Sequence, residues 1–321
     1  MICLTNYLKN DFFIYILFFY FEMNYPVYKL RDWVKRERLN NYQLCLNPNA
    51  INHLINNTNL ISYYYLSENP NAIDIIENNL NKINWSFLSI NENAIHILRK
   101  NKNKINYYYL SANYNGIDLL LENPENICWY YLCNNKNPRA IKLLEDNIDK
   151  INWDLLSSNP SAIDLLLKNP KKINWDCLSS NTSPKAIKLL EENIEKINWN
   201  FLSGNPLAIE LLKKYPEKID WNLLSINNEA IELIENNLNK INWYSLSLNN
   251  NPSAIKILEN NQEKINWTNL SSNPSIFILD YEQMRINNQH LEEELLQVVL
   301  HPTRVIRNME LYGYNVEDMF D

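Results

Sequence analysis

Glycine is almost missing from this chain. Three glycines in 321 residues leave nothing from which to build a glycine-rich phosphate loop. Histidine is scarce too. His53, His96, His290 and His301 stand far apart, none with a second His or Cys at ligand spacing, so no metal site is expected. Five cysteines are an odd number. Cys45, Cys128, Cys133 and Cys177 fall as single replacements in repeated positions, which argues against a disulfide framework and for a reducing compartment. Positive charge is not in excess. Thirty Lys and Arg against 37 Asp and Glu give a net charge of −7, the opposite of a nucleic-acid footprint. The apolar run Phe12 to Phe21 has ten residues, whereas a bilayer span needs ~20.

What is present is a repeat. Tyr63, Trp85, Tyr107, Trp129, Trp153, Trp175, Trp199, Trp221, Trp243 and Trp267 follow one another at 22 or 24 residues. Asn41 lies one period before Tyr63, in a first unit that lacks the aromatic residue. The array therefore counts eleven units. The longer units begin at Trp129, Trp175 and Trp243, and the two extra residues always fall between the Leu-Ser (or Leu-Cys) pair and the Ala-Ile pair. Insertions tolerated at one place mark a loop.

Each unit reads as two short helices. Asn159 is a good N-cap, and Pro160 suits the first helical position, where its missing N–H costs nothing. Ile163, Leu166 and Leu167 share one helical face. Asn169 then stands where a left-handed C′ residue is expected, in place of the absent glycine. In the other half, Asn152 (Asp220 in another unit) caps a helix in which Trp153 and Leu156 share a face. A slot holding Ala50, Ala72, Ala94, Gly116, Ala140, Ala162, Ala186, Ala208, Ala230 and Ala254 predicts close helix–helix approach. The Ser repeated at 157, 179 and 203 recurs too often to be a nucleophile and is expected to close the first helix. A leucine-rich-repeat reading ranks below the helical one, because L-x-L strand alternation is absent. Units of this size cannot fold alone, so each is expected to pack on the next through its Trp.

The resulting expectation is an all-α solenoid of stacked helical hairpins with a helical cap at each end, about 100 Å long at ~8–10 Å per unit. Residues 1–22 are a hydrophobic segment with three readings: a helix packed on the first unit, a weak membrane anchor, or an extension before a start at Met23. Residues 23–38 form the N-terminal cap, with Trp33 over the first unit, and residues 39–276 the eleven repeats. Residues 277–321 form the C-terminal helical cap, carried by Leu291, Leu295, Leu296, Val299, Val305, Ile306 and Met309. Lys82, Lys104, Lys150, Lys172, Lys196, Lys218, Lys240 and Lys264 make a ladder, expected as solvated side chains paired with acids such as Glu195, Glu217 and Glu263. Lys142, Lys188 and Lys256 mark the longer units, each with Glu three residues on. The loops at 134–137, 180–183 and 248–251 are read as one contact edge.

Lys150 to Leu166, Lys-Ile-Asn-Trp-x-x-Leu-Ser-x-Asn-Pro-x-Ala-Ile-x-Leu-Leu, resembles the short repeats of a large protein family in giant DNA viruses of amoebae. The entry Leu30-Arg31-Asp32-Trp33 and the exit His301-Pro302-Thr303-Arg304 are similar to the ends of those proteins. The resemblance implies an ankyrin-like interaction protein. With no catalytic, cofactor or metal constellation, the expected function is non-catalytic protein–protein recognition in an infected cell, by a monomer in the host cytoplasm or viral factory. The alternative is a structural component of a virion or viral factory, membrane-associated through residues 1–22. A protein partner is expected, and nucleic acid is not.

Overall fold

The computed structural model describes residues 26–287 and 301. The chain divides into two compact units, Leu30–Phe277 and a smaller one of Met1–Lys29 with Ile278–Asp321. In the smaller unit Lys29 pairs with Asp280 at 3.5 Å, the Asp280 amide donates to the Val27 carbonyl, and residues 281–287 are helical. The hydrophobic segment 1–22 and the expected C-terminal helices lie outside the described residues. Among the described residues no helix is long and apolar enough to cross a membrane.

The larger unit is an all-α array of eleven units, ten of them helical hairpins and the last a single helix. Unit six shows the pattern. The Asn152 side chain accepts from the Leu155 amide and opens the first helix, Trp153–Ser158. The Asn159 side chain accepts from the Ser161 amide, with Pro160 at the first position as expected. That opening is a 3-10 turn, Pro160–Ala162, which feeds the second helix, Ile163–Lys168. In the longer units the two extra residues relax this entry, and the segment becomes one α-helix: Pro138–Glu145, Pro184–Glu191 and Pro252–Glu259. Asn169 is not left-handed. Its φ is −128° and ψ 57°, and its side-chain Nδ2 donates to the Leu165 carbonyl at 2.9 Å. Tyr215 takes nearly the same angles, so the slot asks for no tolerance of positive φ.

The core differs from expectation in one respect. Leu156, Ala162 and Leu166 are fully buried and Ile151 nearly so, with their equivalents in the other units. Gly116 stands where even an alanine Cβ would come within 2.9 Å of the Leu110 carbonyl oxygen. The indoles, however, are only half-buried. Each of several is covered by a Lys from the next unit: Lys150 lies 4.3 Å from the Trp129 ring centre, Lys196 4.3 Å from Trp175, and Lys264 4.5 Å from Trp243. The dry seam is made of Leu, Ala and Ile, and the aromatic rings form its rim.

Two polar ladders join the units. The Ser157 hydroxyl donates to the Trp153 carbonyl at 2.7 Å and accepts from the Asn174 amide of the next unit at 3.0 Å. The expected helix-closing role is thus doubled by a bridge. The second ladder is a run of buried Asn. Asn181 donates both amide hydrogens to the preceding unit, to the Ser157 carbonyl at 2.8 Å and the Asn159 carbonyl at 3.1 Å, while its oxygen accepts from the Ser183 amide.

Both ladders run from the last unit into the first. Asn47 donates to the carbonyls of Ser271 and Asn273 at 3.0 and 2.9 Å, and the Asn40 amide donates to the Ser271 hydroxyl at 2.8 Å. The last first-position helix, Trp267–Ser272, packs directly on Asn41–Leu46. Arg38 lies 5.0 Å from the Trp267 ring centre, in the place that Lys takes elsewhere. Eleven joints made by the same two ladders return the chain to its origin and make a closed ring. The expected all-α solenoid of stacked helical hairpins is what forms; because its last unit meets its first, the ~100 Å along the stack is a path around the ring.

The N-terminal segment is the clasp. Unit eleven has no second helix. Its 3-10 turn Pro274–Ile276 runs into strand β2 (Phe277–Leu279), which pairs with β1 (Tyr28–Leu30). Arg31 donates from its amide to the Ile276 carbonyl and from Nε to the Ser275 carbonyl. Trp33, expected over the first unit, sits edge-on against Trp267 at 6.3 Å. The 3-10 turn Arg36–Arg38 then stands where Ile194–Lys196 and its equivalents stand in other units.

Replacing Asn159 by Ala strands two buried carbonyls of unit five and one amide. The expected loss is about 2–4 kcal/mol of unfolding free energy. Chemical denaturation measures it, and a loss under about 0.5 kcal/mol would show that the ladder is decorative.

Candidate functional site

A closed ring is shorter inside than outside, so the layer whose helices touch is the inner one. First helices pack directly on their neighbours around most of the ring, whereas the second helices largely do not. Long side chains span the outer gaps instead: Arg139 to Asp118 and Lys185 to Asp164 at 2.6 Å, Lys168 to Glu145 at 2.7 Å, and Lys213 to Glu232 at 2.8 Å. Eleven first helices at ~8–10 Å leave an opening of about 20 Å inside the wall, after allowing ~10 Å for the helix diameter. The exposed position of these helices is chiefly the one after the register residue, while the next is mostly half-buried.

The first of these positions reads Tyr42, Tyr64, Ser86, Tyr108, Tyr130, Asp154, Asp176, Asn200, Asn222, Tyr244 and Thr268. Units one to five carry a continuous chain of rings. Tyr42 meets Tyr65 at 5.4 Å, Tyr65 meets Tyr64 at 5.2 Å, and Tyr64 meets Phe87 at 4.9 Å. Phe87 meets Tyr109, Tyr109 meets Tyr131, and Tyr131 meets both Tyr108 and Tyr130 at 5.5–6.3 Å. The rings at Tyr42, Tyr64, Tyr108 and Tyr130 are 50–63% exposed. Units six and seven continue with Asp154 and Asp176. Each accepts one hydrogen bond, from the side chains of Asn174 and Asn198, and neither is in an ion pair among the described residues. Both carboxylates reinforce burial in pushing the neighbouring Cys177 thiol up. The chain's 30 Lys and Arg and four His contribute not one residue to the eleven first helices.

The other residues singled out in the sequence do not converge. Five of the eight ladder Lys lie over rings of the preceding unit at 4.3–5.1 Å. Their expected acidic partners Glu195, Glu217 and Glu263 enter no ion pair among the described residues. Of the three Lys that mark the longer units, Lys142 reaches its Glu, at 3.8 Å, and binds Asp146 more closely at 2.7 Å. The three longer loops belong to units five, seven and ten, so they do not abut, and Asn135, Asn181 and Asn249 within them are buried ladder members. Cys45, Cys128, Cys133 and Cys177 are free thiols. Cys133 takes the Ser role, donating to the Trp129 carbonyl. Burial raises the thiols of Cys45 and Cys133. No three His, Cys, Asp or Glu side chains gather as a metal set among the described residues.

No family model, curated protein or solved structure matches the chain.

His96 pairs with Glu77 at 2.8 Å, whereas His53 is half-buried. It packs on Phe277 at 6.3 Å, beside the clasp, and its Nε2 is buried without a partner. Burial and the Arg36 charge hold its pKa below the ordinary value. The folded chain therefore takes up a proton on His53 less readily than the unfolded chain, which does so near pH ~6.5. Its contribution is complete above that pH and is lost as pH falls toward the folded value. Denaturant midpoints at pH 7.5 and 5.5 are expected to differ less in His53→Gln than in the parent chain; an unchanged difference would assign the acid sensitivity elsewhere.

Proposed function

We propose that this chain is a non-catalytic binding ring that holds a segment of a partner protein against the aromatic arc of its inner wall. The observation that carries this reading is the exposed run Tyr42, Tyr64, Tyr108 and Tyr130, braced by Tyr65, Phe87, Tyr109 and Tyr131. The fold does not require it, because Asp154, Asp176, Asn200 and Asn222 occupy the same position in units six to nine and those units join in the same way. Exposed aromatic side chains on a rigid support are the side chains that dominate protein interfaces, at ~2 kcal/mol or more for the best-placed ones. First helices that carry no Lys, Arg or His offer little to neutralise phosphates, which favours a polypeptide over a nucleic acid. The resemblance of the repeats to those of giant viruses of amoebae supports action in an infected cell, in the host cytoplasm or viral factory.

The test is photo-crosslinking in infected cells. A benzophenone side chain at Tyr108 is expected to capture a defined protein, and one at Glu192 on the outer layer is not. The triple variant Tyr64→Ser, Tyr108→Ser, Tyr130→Ser is expected to keep its helical circular dichroism and lose the partner by at least tenfold. Capture that is equal from both positions, or that survives the triple variant, would exclude the inner arc.

A further inference from the structure

Resting on that reading, we infer that the partner segment is cationic: an extended stretch bearing Arg or Lys side chains, seated in the ring corners of the tyrosine arc, its charges directed at Asp154 and Asp176.

The shape of the arc selects for this. Its neighbouring rings do not lie in one plane. Tyr64 stands at 75° to Tyr65, and Tyr108 and Tyr130 each stand at 80° to Tyr131. Two faces meeting near a right angle make a corner, which suits a compact cation attracted to both π faces. A sugar ring needs a flat platform, and the arc has none. The protein already uses the same contact for itself, with five Lys and one Arg over the register rings at 4.3–5.1 Å.

Charge points the same way. The first helices hold Asp154 and Asp176 and no Lys, Arg or His. The basic residues of the chain are placed on the outer helices and turns, where many meet acids. An incoming cation therefore meets no basic residue of the first helices, the nearby Lys being engaged over the register rings, and at its acidic end it meets two carboxylates that enter no ion pair among the described residues. Asp154 and Asp176 are one unit apart, about 10 Å by helix spacing. An extended chain advances ~3.3 Å per residue, so basic residues three apart reach both. An anionic segment would face repulsion with no donor of opposite charge. A neutral apolar one would leave the two carboxylates unused.

The experiment uses the full chain and a fluorescein-labelled nonapeptide of three Arg-Ala-Ala triplets, with a twin in which Gln replaces each Arg, read by fluorescence anisotropy. The Arg peptide is expected to bind at least tenfold more tightly than the Gln twin. Asp154→Asn with Asp176→Asn should weaken it at least fivefold, as should Tyr64→Ser with Tyr108→Ser and Tyr130→Ser. The outer-layer pair Glu191→Gln with Glu192→Gln should change it less than twofold. Thermal melts followed by circular dichroism establish that each variant is folded. The Asp pair, which keeps the Asn174 and Asn198 hydrogen bonds in place, decides the matter should the Tyr variant melt early. Equal binding of the Gln twin overturns the inference and leaves the binding ring standing with a neutral partner. Equal weakening by the outer-layer pair, or displacement of the Arg peptide by a neutral oligosaccharide, also overturns it. A crosslinked partner that survives the loss of the tyrosines overturns the binding ring itself.

Discussion

A primary amide, buried and fully bonded, is the device on which this molecule depends. Each ladder Asn gives two hydrogens to carbonyls of the unit before it and receives one from its own turn. The carbonyls it meets, of the Ser or Cys ending one helix and the Asn opening the next turn, are those a helix end leaves unpaired. One side chain thereby fixes the distance, the tilt and the register between neighbours. Asp could not substitute, having no hydrogens to give, and Gln would be a methylene too long. Because the same bonds recur at every joint, including the joint between Asn47 and the pair Ser271 and Asn273, small rotations add up to a full turn.

The apolar seam and the cation–π rim act inside that frame. Leu, Ala and Ile give the non-directional part of the stability. The Lys or Arg laid over five of the indoles covers part of each ring. Neither of these sets geometry by itself. That division of labour explains the tolerance of the pattern to Cys in the Ser slot and Tyr in the Trp slot, alongside the constancy of the ladder Asn.

The unit and its stacking into an all-α solenoid were legible in the sequence, and the closure was not. Asn152, Asn159 and Asp220 announced helix starts because capping is local chemistry, and the column of Ala with Gly116 announced tight packing because it admits nothing larger. The insertions fell in loops as their position required. Asn169 was misplaced because asparagine permits a left-handed turn without demanding one. The ladder Asn were readable as caps, since their oxygens do cap; their hydrogens point across to another unit, and spacing along the chain carries no sign of that. Closure was hidden for a related reason. It depends on a rotation of about a tenth of a turn per joint, and no single residue encodes an angle. The aromatic arc could have been seen: reading down the first column after the register residue separates Tyr42, Tyr64, Tyr108 and Tyr130 from Asp154 and Asp176.

The clasp also bears on how the molecule is made. Arg31 binds a carbonyl 244 residues further along, so the first part of the ring to leave the ribosome must wait for the last. At ~5–20 residues per second that interval is about 10–50 s. Throughout it the Asn47 amide and the Asn40 N–H present an uncovered edge whose natural complement is the far edge of any copy of the same chain. Two half-finished chains that met in that interval could each complete the other, producing a swapped pair with every joint intact. Against that outcome the chain has only proximity, since its own far edge, once made, is always nearer than a neighbour's.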